Sequence, residues 1–403
     1  MSNLQAQAIR PALLAAVIVI GLNLRPFLTS IGPLAKVIGR ETGLGFQGTA
    51  LLTLLPVLLM GALAFLGPYT QRRFGARRSI LFALVVLCLG TALRSVADQG
   101  WLLLVTALLC GLGVAAVQAI FPGVIKQHFA TRVTFVTGLY SSMLMAGGAL
   151  GAQLTPRVSD AAQSWQLGLA WLAAPAALAV LMGAAFLPRD AARHRTGSDA
   201  RSLLARPRTW ALMACFGLVN GGYSSTVAWL AASYQMQGWG DAASGSLLAV
   251  MAASQAVAAL LLPMLASRHP DRRPWLWLTL AMQLAGFAGL AISPTAAPLV
   301  WVALLGAGLG GCFALTMVLA LDHLPDPGRA GTLSALMQGG GFLIAALPPW
   351  IVALLRDATG SFAGGWLMHA AIVATVAILA LRFRPGSYAR AMREPAAGLR
   401  QPV

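Results

Sequence analysis

An arginine inside an apolar run is the residue of this chain best placed to do chemistry. Arg25 sits in IVIGLNLRPFLTSIGPL (residues 18–34), with no other charge between Arg10 and Lys36. A guanidinium in such surroundings is costly unless it faces a polar cavity or a partner of opposite charge. A bound anion would be such a partner, and the planar fork of arginine suits oxyanions and similar groups. The alternative is a structural arginine bonded to helix carbonyls and polar neighbours. Helical spacing puts Thr29 and Gly32 on the face of Arg25. Asn23 and Ser30 point elsewhere unless a bend at Pro26 turns them in, and Asn23 could equally form a hydrogen bond between helices.

A few other polar residues share this depth. Gln118 stands in a long apolar run with Pro122 one turn further on, and it either lines a cavity or ties two helices. Lys126 follows two turns after Gln118, as a gate or as an interfacial lysine whose stem lies along apolar surface. Asn220, Tyr223, Ser224 and Val227 fall on one helical face. Tyr140 and Ser141, with Gln255 and Gln338, complete the candidates for a lining.

Other chemistries find no support. His128, His194, His269, His323 and His369 are scattered singly, and Cys88, Cys110, Cys215 and Cys312 lie in apolar stretches without a CxxC pair. No metal site, structural disulfide, cofactor or catalytic nucleophile is expected, and the chain is not read as an enzyme. The pieces GGALG (147–151) and GGGF (339–342) lack the lysine and the strand–turn–helix context of a phosphate loop. Small residues there let helices approach closely.

The elements that would carry these residues follow from composition. The chain has 403 residues, 58% hydrophobic and only 10% charged, where a soluble domain is about a quarter charged. Lipid is therefore the expected solvent. A bilayer core needs about 20 apolar residues per helix. Scanning for such runs predicts an all-α polytopic protein with twelve spans: 12–37, 47–68, 79–97, 101–125, 133–155 and 165–187, then 208–233, 243–266, 274–292, 297–321, 329–355 and 364–384. Residues 12–37 are read as the first span and not as a cleaved signal, since the apolar run continues past Arg25 without a small-residue cleavage pattern. By these boundaries none of the eleven acidic residues lies inside a span.

The net charge of +17 does not imply a nucleic-acid partner, because Lys and Arg cluster in short loops between apolar runs. Of the 28, 22 fall at Arg10, in the loops after the second, fourth, eighth and tenth spans, between Arg189 and Arg208, and from Arg382 to Arg400. The positive-inside rule then puts both termini in the cytoplasm. The expected organisation is a bundle over 1–187, a cytoplasmic linker over 188–207, a second bundle over 208–384 and a cytoplasmic tail over 385–403. Internal repetition supports it. GLG at 111–113 recurs at 308–310. Gly138, Ser141, Gly147, Gly148, Leu150 and Pro156 line up with Gly331, Ser334, Gly340, Gly341, Leu343 and Pro349. Six-helix halves with a binding site between them near midplane are a known transporter plan.

The segments GLNLRPFLTSIGPL (21–34), FPGVIKQHF (121–129), GLVNGGYSS (217–225), LALDH (319–323) and MQGGGF (337–342) resemble the major facilitator superfamily and, within it, the bacterial cyanate and nitroimidazole transporter branch. The resemblance runs through essentially the whole chain. It implies the twelve-helix major facilitator fold, the bacterial inner membrane, and alternating-access transport of a small monovalent anion, cyanate, by a monomer. Arg25, Asn23, Thr29, Gln118, Tyr140, Asn220, Tyr223 and Gln338 would line the site. Lys126, Pro122, Arg77 and Arg78 would serve gating. The loop GPYTQRRFGARRS (67–79) keeps Gly75, Arg77 and Arg78 of the superfamily pattern but has no acid, and Ala107 stands where many proton-coupled members carry an arginine. Coupling is therefore expected to be absent or to be anion exchange. The competing readings are transport of a neutral heterocycle such as a nitroimidazole, and a non-transporting membrane receptor, which the short basic tail argues against.

Overall fold

The computed structural model describes residues 11–65, 67–189 and 200–393, and every described regular element is helical. Half of the expected linker, residues 190–199, and the end of the expected tail lie outside the described residues. The first span is split into α1 (Pro11–Asn23), α2 (Pro26–Thr29) and α3 (Ile31–Thr42). There follow α4 (Gly45–Ala64), α5 (Gly67–Phe74), α6 (Ala76–Ala92), α7 (Gly100–His128), α8 (Val133–Ala162), α9 (Trp165–Ala170) and α10 (Ala173–Phe186). The short α11 (Ala200–Leu204) leads into α12 (Pro207–Gln235), α13 (Asp241–Ala266), α14 (Arg273–Ile292) and α15 (Pro298–Asp322). Last come α16 (Pro327–Ala345), α17 (Pro348–Thr359), α18 (Ala363–Ala380) and α19 (Tyr388–Met392).

Local chemistry sets many of these boundaries. Proline opens α2, α12, α15, α16 and α17, where its missing N–H costs nothing and its fixed φ suits the first turn. Gly43 and Gly360 close α3 and α17 at φ +67° and +70°, a left-handed conformation glycine adopts without strain. Asp326 caps α16 by accepting from the Arg329 amide at 2.7 Å.

Among the described residues, ten helical stretches are long and apolar enough to cross a membrane. The other two expected spans coincide with α4, in which Leu51–Ala64 is a shorter apolar helix, and with α12. The 29 residues of α12 include Asn220, Tyr223, Ser224 and Ser225, which dilute its hydropathy. The helices outrun the expected spans: α8 reaches Ala162 and α12 reaches Gln235.

In the apolar window of α15, 83% of residues are buried, against 28% in that of α9–α10. The first is therefore a central helix. The second shows an apolar flank outward, as do Phe82, Ile292 and Ile378, which fits a lipid surround. Helices before and after residues 190–199 pack crosswise: α8 lies on α13 and α15, and α16 lies on α4 and α7. The close approaches between them gather toward one end. Gly123 meets Gly331 backbone to backbone, Gly138 meets Pro263, and the Ser142 hydroxyl donates to the Ala256 carbonyl at 2.7 Å. That end carries Lys126, Arg132, Arg268 and Arg329.

Candidate functional site

The break in the first span creates the site. Pro26 has no N–H, so the Leu22 carbonyl loses its helical partner. Arg25 becomes the residue before α2, at φ −119° and ψ −25°. The freed Leu22 carbonyl is received by Gly147 of α8, where a Cβ would sit 2.0 Å from the oxygen. Pro26 rests in the same way on Gly151. The glycines of α8 thus make room for an interrupted helix beside them.

Arg25 is 5% exposed. Among the described residues it makes no ion pair, and its Nε is buried without a hydrogen-bond partner. Its guanidinium carbon lies 4.9 Å from the centre of the Tyr223 ring and 5.7 Å from that of Phe313. Rings at this range attract a cation by about 0.5–2 kcal/mol each, but they accept no hydrogen bond in its plane.

Other unanswered groups lie nearby. The Tyr140 ring packs on Gly21, one turn before Arg25, and its hydroxyl is buried without a partner. Phe121 stacks at a tilt on Tyr140 with ring centres 5.3 Å apart. One turn before Phe121, both side-chain atoms of Gln118 are buried and unpartnered. Buried polar groups are nearly always satisfied, and leaving one unmade costs about 1–3 kcal/mol. A guanidinium nitrogen, a phenol and a carboxamide are thus buried without partners among the described residues.

The remaining candidate residues are engaged differently. The Thr29 hydroxyl donates to the Gly148 carbonyl at 2.6 Å, which ties α2 to α8. The Asn23 amide donates to Val19 and that of Asn220 to Phe216, both at 2.8 Å and one turn back. Gln338 donates from Nε2 to the Gln118 backbone carbonyl at 3.2 Å and so crosses from α16 to α7. Asn23 ends α1 at the break, Tyr223 lies over Arg25 and Tyr140 packs by Gly21, while Thr29 and Gln338 act as ties.

At the basic end, the Lys126 ammonium donates to the Leu321 and Leu324 carbonyls, capping the C-terminus of α15 where the helix dipole is negative. Arg272 reaches Asp322 through Nε at 2.9 Å and Thr134 through Nη2 at 3.3 Å. The Lys126 and Arg272–Thr134 contacts join the helices before residue 190 to those after 199, while Arg272–Asp322 ties α15 to the start of α14. Pro122 lies buried in α7 beside the Gly123–Gly331 contact. Arg77 donates from Nη2 to Ala184 of α10 at 2.6 Å, and Arg78 is exposed. Outside the spans, hydrogen bonds from Arg273 hold the Asp271 carboxyl below its usual range. Burial pushes His323 down to about 4. Its ring stacks on Tyr388 at 4.0 Å while Nδ1 donates to Leu319 at 2.7 Å.

Sequence reasoning did not find Phe313, Phe121, Arg272 or Asp322. Phe313 and Phe121 look like ordinary core residues. Asp322 beside His323 at the end of a span, opposite a basic loop, was the available signal for a clasp.

A helical membrane bundle with a polar site at a broken span is the architecture of a transporter. The model of the Major Facilitator Superfamily matches residues 13–349, and the chain belongs to that family. It is 43% identical over 374 residues, 93% of this chain and 97% of the other, to the Cyanate transport protein CynX of Escherichia coli (strain K12). It is 30% identical over 359 residues, 88% of this chain and 90% of the other, to the 2-nitroimidazole transporter of the same strain. These relatives are transporters and not enzymes. Among solved structures it is similar in fold to the proton:xylose symporter XylE (TM-score 0.77, 12% identity, 92% of this chain and 95% of that one). It is also similar to the E. coli fucose:proton symporter FucP (TM-score 0.70, 17% identity, 93% and 100%). The chain is thus a multi-pass membrane transporter of a small-molecule substrate.

Proposed function

We propose that this transporter carries a small monovalent anion, cyanate, across the bacterial inner membrane by alternating access. The observation that carries the reading is Arg25, a buried guanidinium with no carboxylate partner among the described residues. Tyr140 and Gln118 add neutral donors, so an anion entering there would meet charge and hydrogen bonds together. The identity to a relative named for cyanate transport supports the choice of substrate. The lining residues would be Arg25, Asn23, Gln118, Tyr140, Asn220 and Tyr223, with Thr29 and Gln338 holding the surrounding helices.

In this reading two six-helix halves, 1–187 and 208–384, rock about the site, and the basic end faces the cytoplasm with both termini. The Lys126 and Arg272 contacts then form the cytoplasmic gate, closed here. The protein works as a monomer and binds no nucleic acid. No carboxylate among the described residues faces Arg25, which favours uniport or anion exchange over proton symport.

Uptake of labelled cyanate into proteoliposomes is the test. Saturable uptake, competed by unlabelled cyanate, is expected; none in a correctly inserted protein contradicts the reading. The aromatic rings of Tyr223, Phe313 and Phe121 around the site, with the similarity to a 2-nitroimidazole transporter, favour a neutral heterocycle as second reading. Binding of a nitroimidazole without cyanate uptake would select it.

A further inference from the structure

A second arginine is buried against the broken span. Arg94 lies in the 3-10 turn Leu93–Val96 that follows α6, and it is 0% exposed. The loop count treats it as one of the few basic residues on the less basic side, and an arginine near a span end ordinarily turns its head toward water. This one turns inward. Its Nη1 donates to the Phe27 carbonyl at 3.1 Å, while Nε and Nη2 are buried without hydrogen-bond partners. Among the described residues no carboxylate pairs with it. Stripping a guanidinium of water is costly, and one hydrogen bond to a peptide is what the structure shows in return.

The peptide it holds belongs to α2, the four-residue turn between the break at Leu24–Arg25 and the bend at Ser30. On its other side α2 is held by α8, through Thr29 on the Gly148 carbonyl and Pro26 on Gly151. A single helical turn has little cooperativity of its own, so its position depends on these outside contacts. Arg25 is the residue from which the turn starts.

We propose that Arg94 is a positioning residue: by gripping the Phe27 carbonyl it fixes the interrupted turn of the first span and with it the direction in which Arg25 presents its guanidinium. The second readout below rests on the cyanate reading; the first does not.

The first readout is hydrogen exchange of the full chain, purified in detergent with no substrate present. Amides 24–31 of the wild type are expected to exchange nearly as slowly as those of α1. In Arg94→Met, which keeps the stem and removes the charge, exchange over 24–31 should rise about tenfold with α12 unchanged. Arg94→Lys should fall between the two, since an ammonium reaches the carbonyl without the planar head. The second readout is cyanate uptake. Arg94→Met should raise KM about tenfold with little change in maximal rate, as expected for a misaimed binding group. A merely structural role would lower the amount of folded protein and leave KM alone. The proposal is overturned by loop-like exchange over 24–31 in the wild type, or by a wild-type profile in Arg94→Met. Should Arg94→Met fail to insert, a wild-type profile in Arg94→Lys overturns it. If the exchange changes occur as expected but no variant and no wild type takes up cyanate, the substrate reading falls and Arg94 keeps its role.

Discussion

The first and seventh spans occupy matching positions in the repeat read from the sequence, and they differ at Arg25 and Pro26. At the spacing of the GLG repeat, Asn23 corresponds to Asn220, Arg25 to Gly222, Pro26 to Tyr223 and Lys126 to His323. The two asparagines keep the same bond to the carbonyl one turn back, at 2.8 Å in both. Around that shared point the first half has a charge and a break, whereas α12 runs unbroken and offers a ring to the charge. The basic end repeats the division: Lys126 reaches across to carbonyls, while buried His323 stacks on Tyr388. At these two places a cation from the helices before residue 190 meets rings or carbonyls of those after 199: Arg25 beside Tyr223 and Phe313, and Lys126 on Leu321 and Leu324.

The largest effect expected from this asymmetry is at Gly147. A methyl group there would stand 2.0 Å from the Leu22 carbonyl oxygen freed by Pro26. Gly147→Ala should destabilise the protein by about 3 kcal/mol or more, at the upper end for overpacking. A methyl group at Gly222, within the unbroken α12, would meet the Phe287 ring at 3.0 Å, and Gly222→Ala should lose about 1 kcal/mol. Unfolding in denaturant would compare them, and equal losses would break the distinction between the two spans.

Next comes pH. His323 is held neutral by burial, with its pKa near 4 against 6.5 when exposed. Below pH 6.5 the unfolded chain takes up a proton that the folded protein refuses, so stability falls as pH drops toward 4. The full difference is about 3 kcal/mol. His323→Phe should flatten the slope of stability between pH 6.5 and 4, and an unchanged slope would place the titration elsewhere.

These cases show what was legible. The spans could be read because a membrane helix needs about 20 apolar residues, a requirement visible in sequence. Arg25 stood out by its type and surroundings. Thr29 lies one helical turn after Arg25, its amide on the Arg25 carbonyl at 3.3 Å, and both side chains pack toward Gly148, but its hydroxyl is taken up by the Gly148 carbonyl, which no spacing in the sequence shows. Arg94 was invisible because its role depends on a side chain turning inward from a span end. Phe313 carried no signal, since an aromatic residue in an apolar helix has the same letter whether it packs on leucine or on a guanidinium.

A smaller effect tests the ring-on-cation contact itself. Tyr223→Leu and Arg25→Gln, alone and together, form a double-mutant cycle in unfolding. A coupling of about 1 kcal/mol is expected for a partly desolvated cation–ring pair. Tyr223→Phe should keep most of it, and zero coupling would mean the two halves do not hold each other there.

The central claim is that Arg25 binds the transported anion. Its most direct test is the affinity of purified, correctly inserted Arg25→Gln for cyanate, measured beside the wild type. Losing a charge-assisted hydrogen bond in a dry site costs roughly 1.5–3 kcal/mol, or about ten- to a hundredfold in Kd. Arg25→Lys should fall between, with charge kept and the fork lost. A folded Arg25→Gln protein that binds cyanate as tightly as wild type would contradict the account and make Arg25 a packing residue.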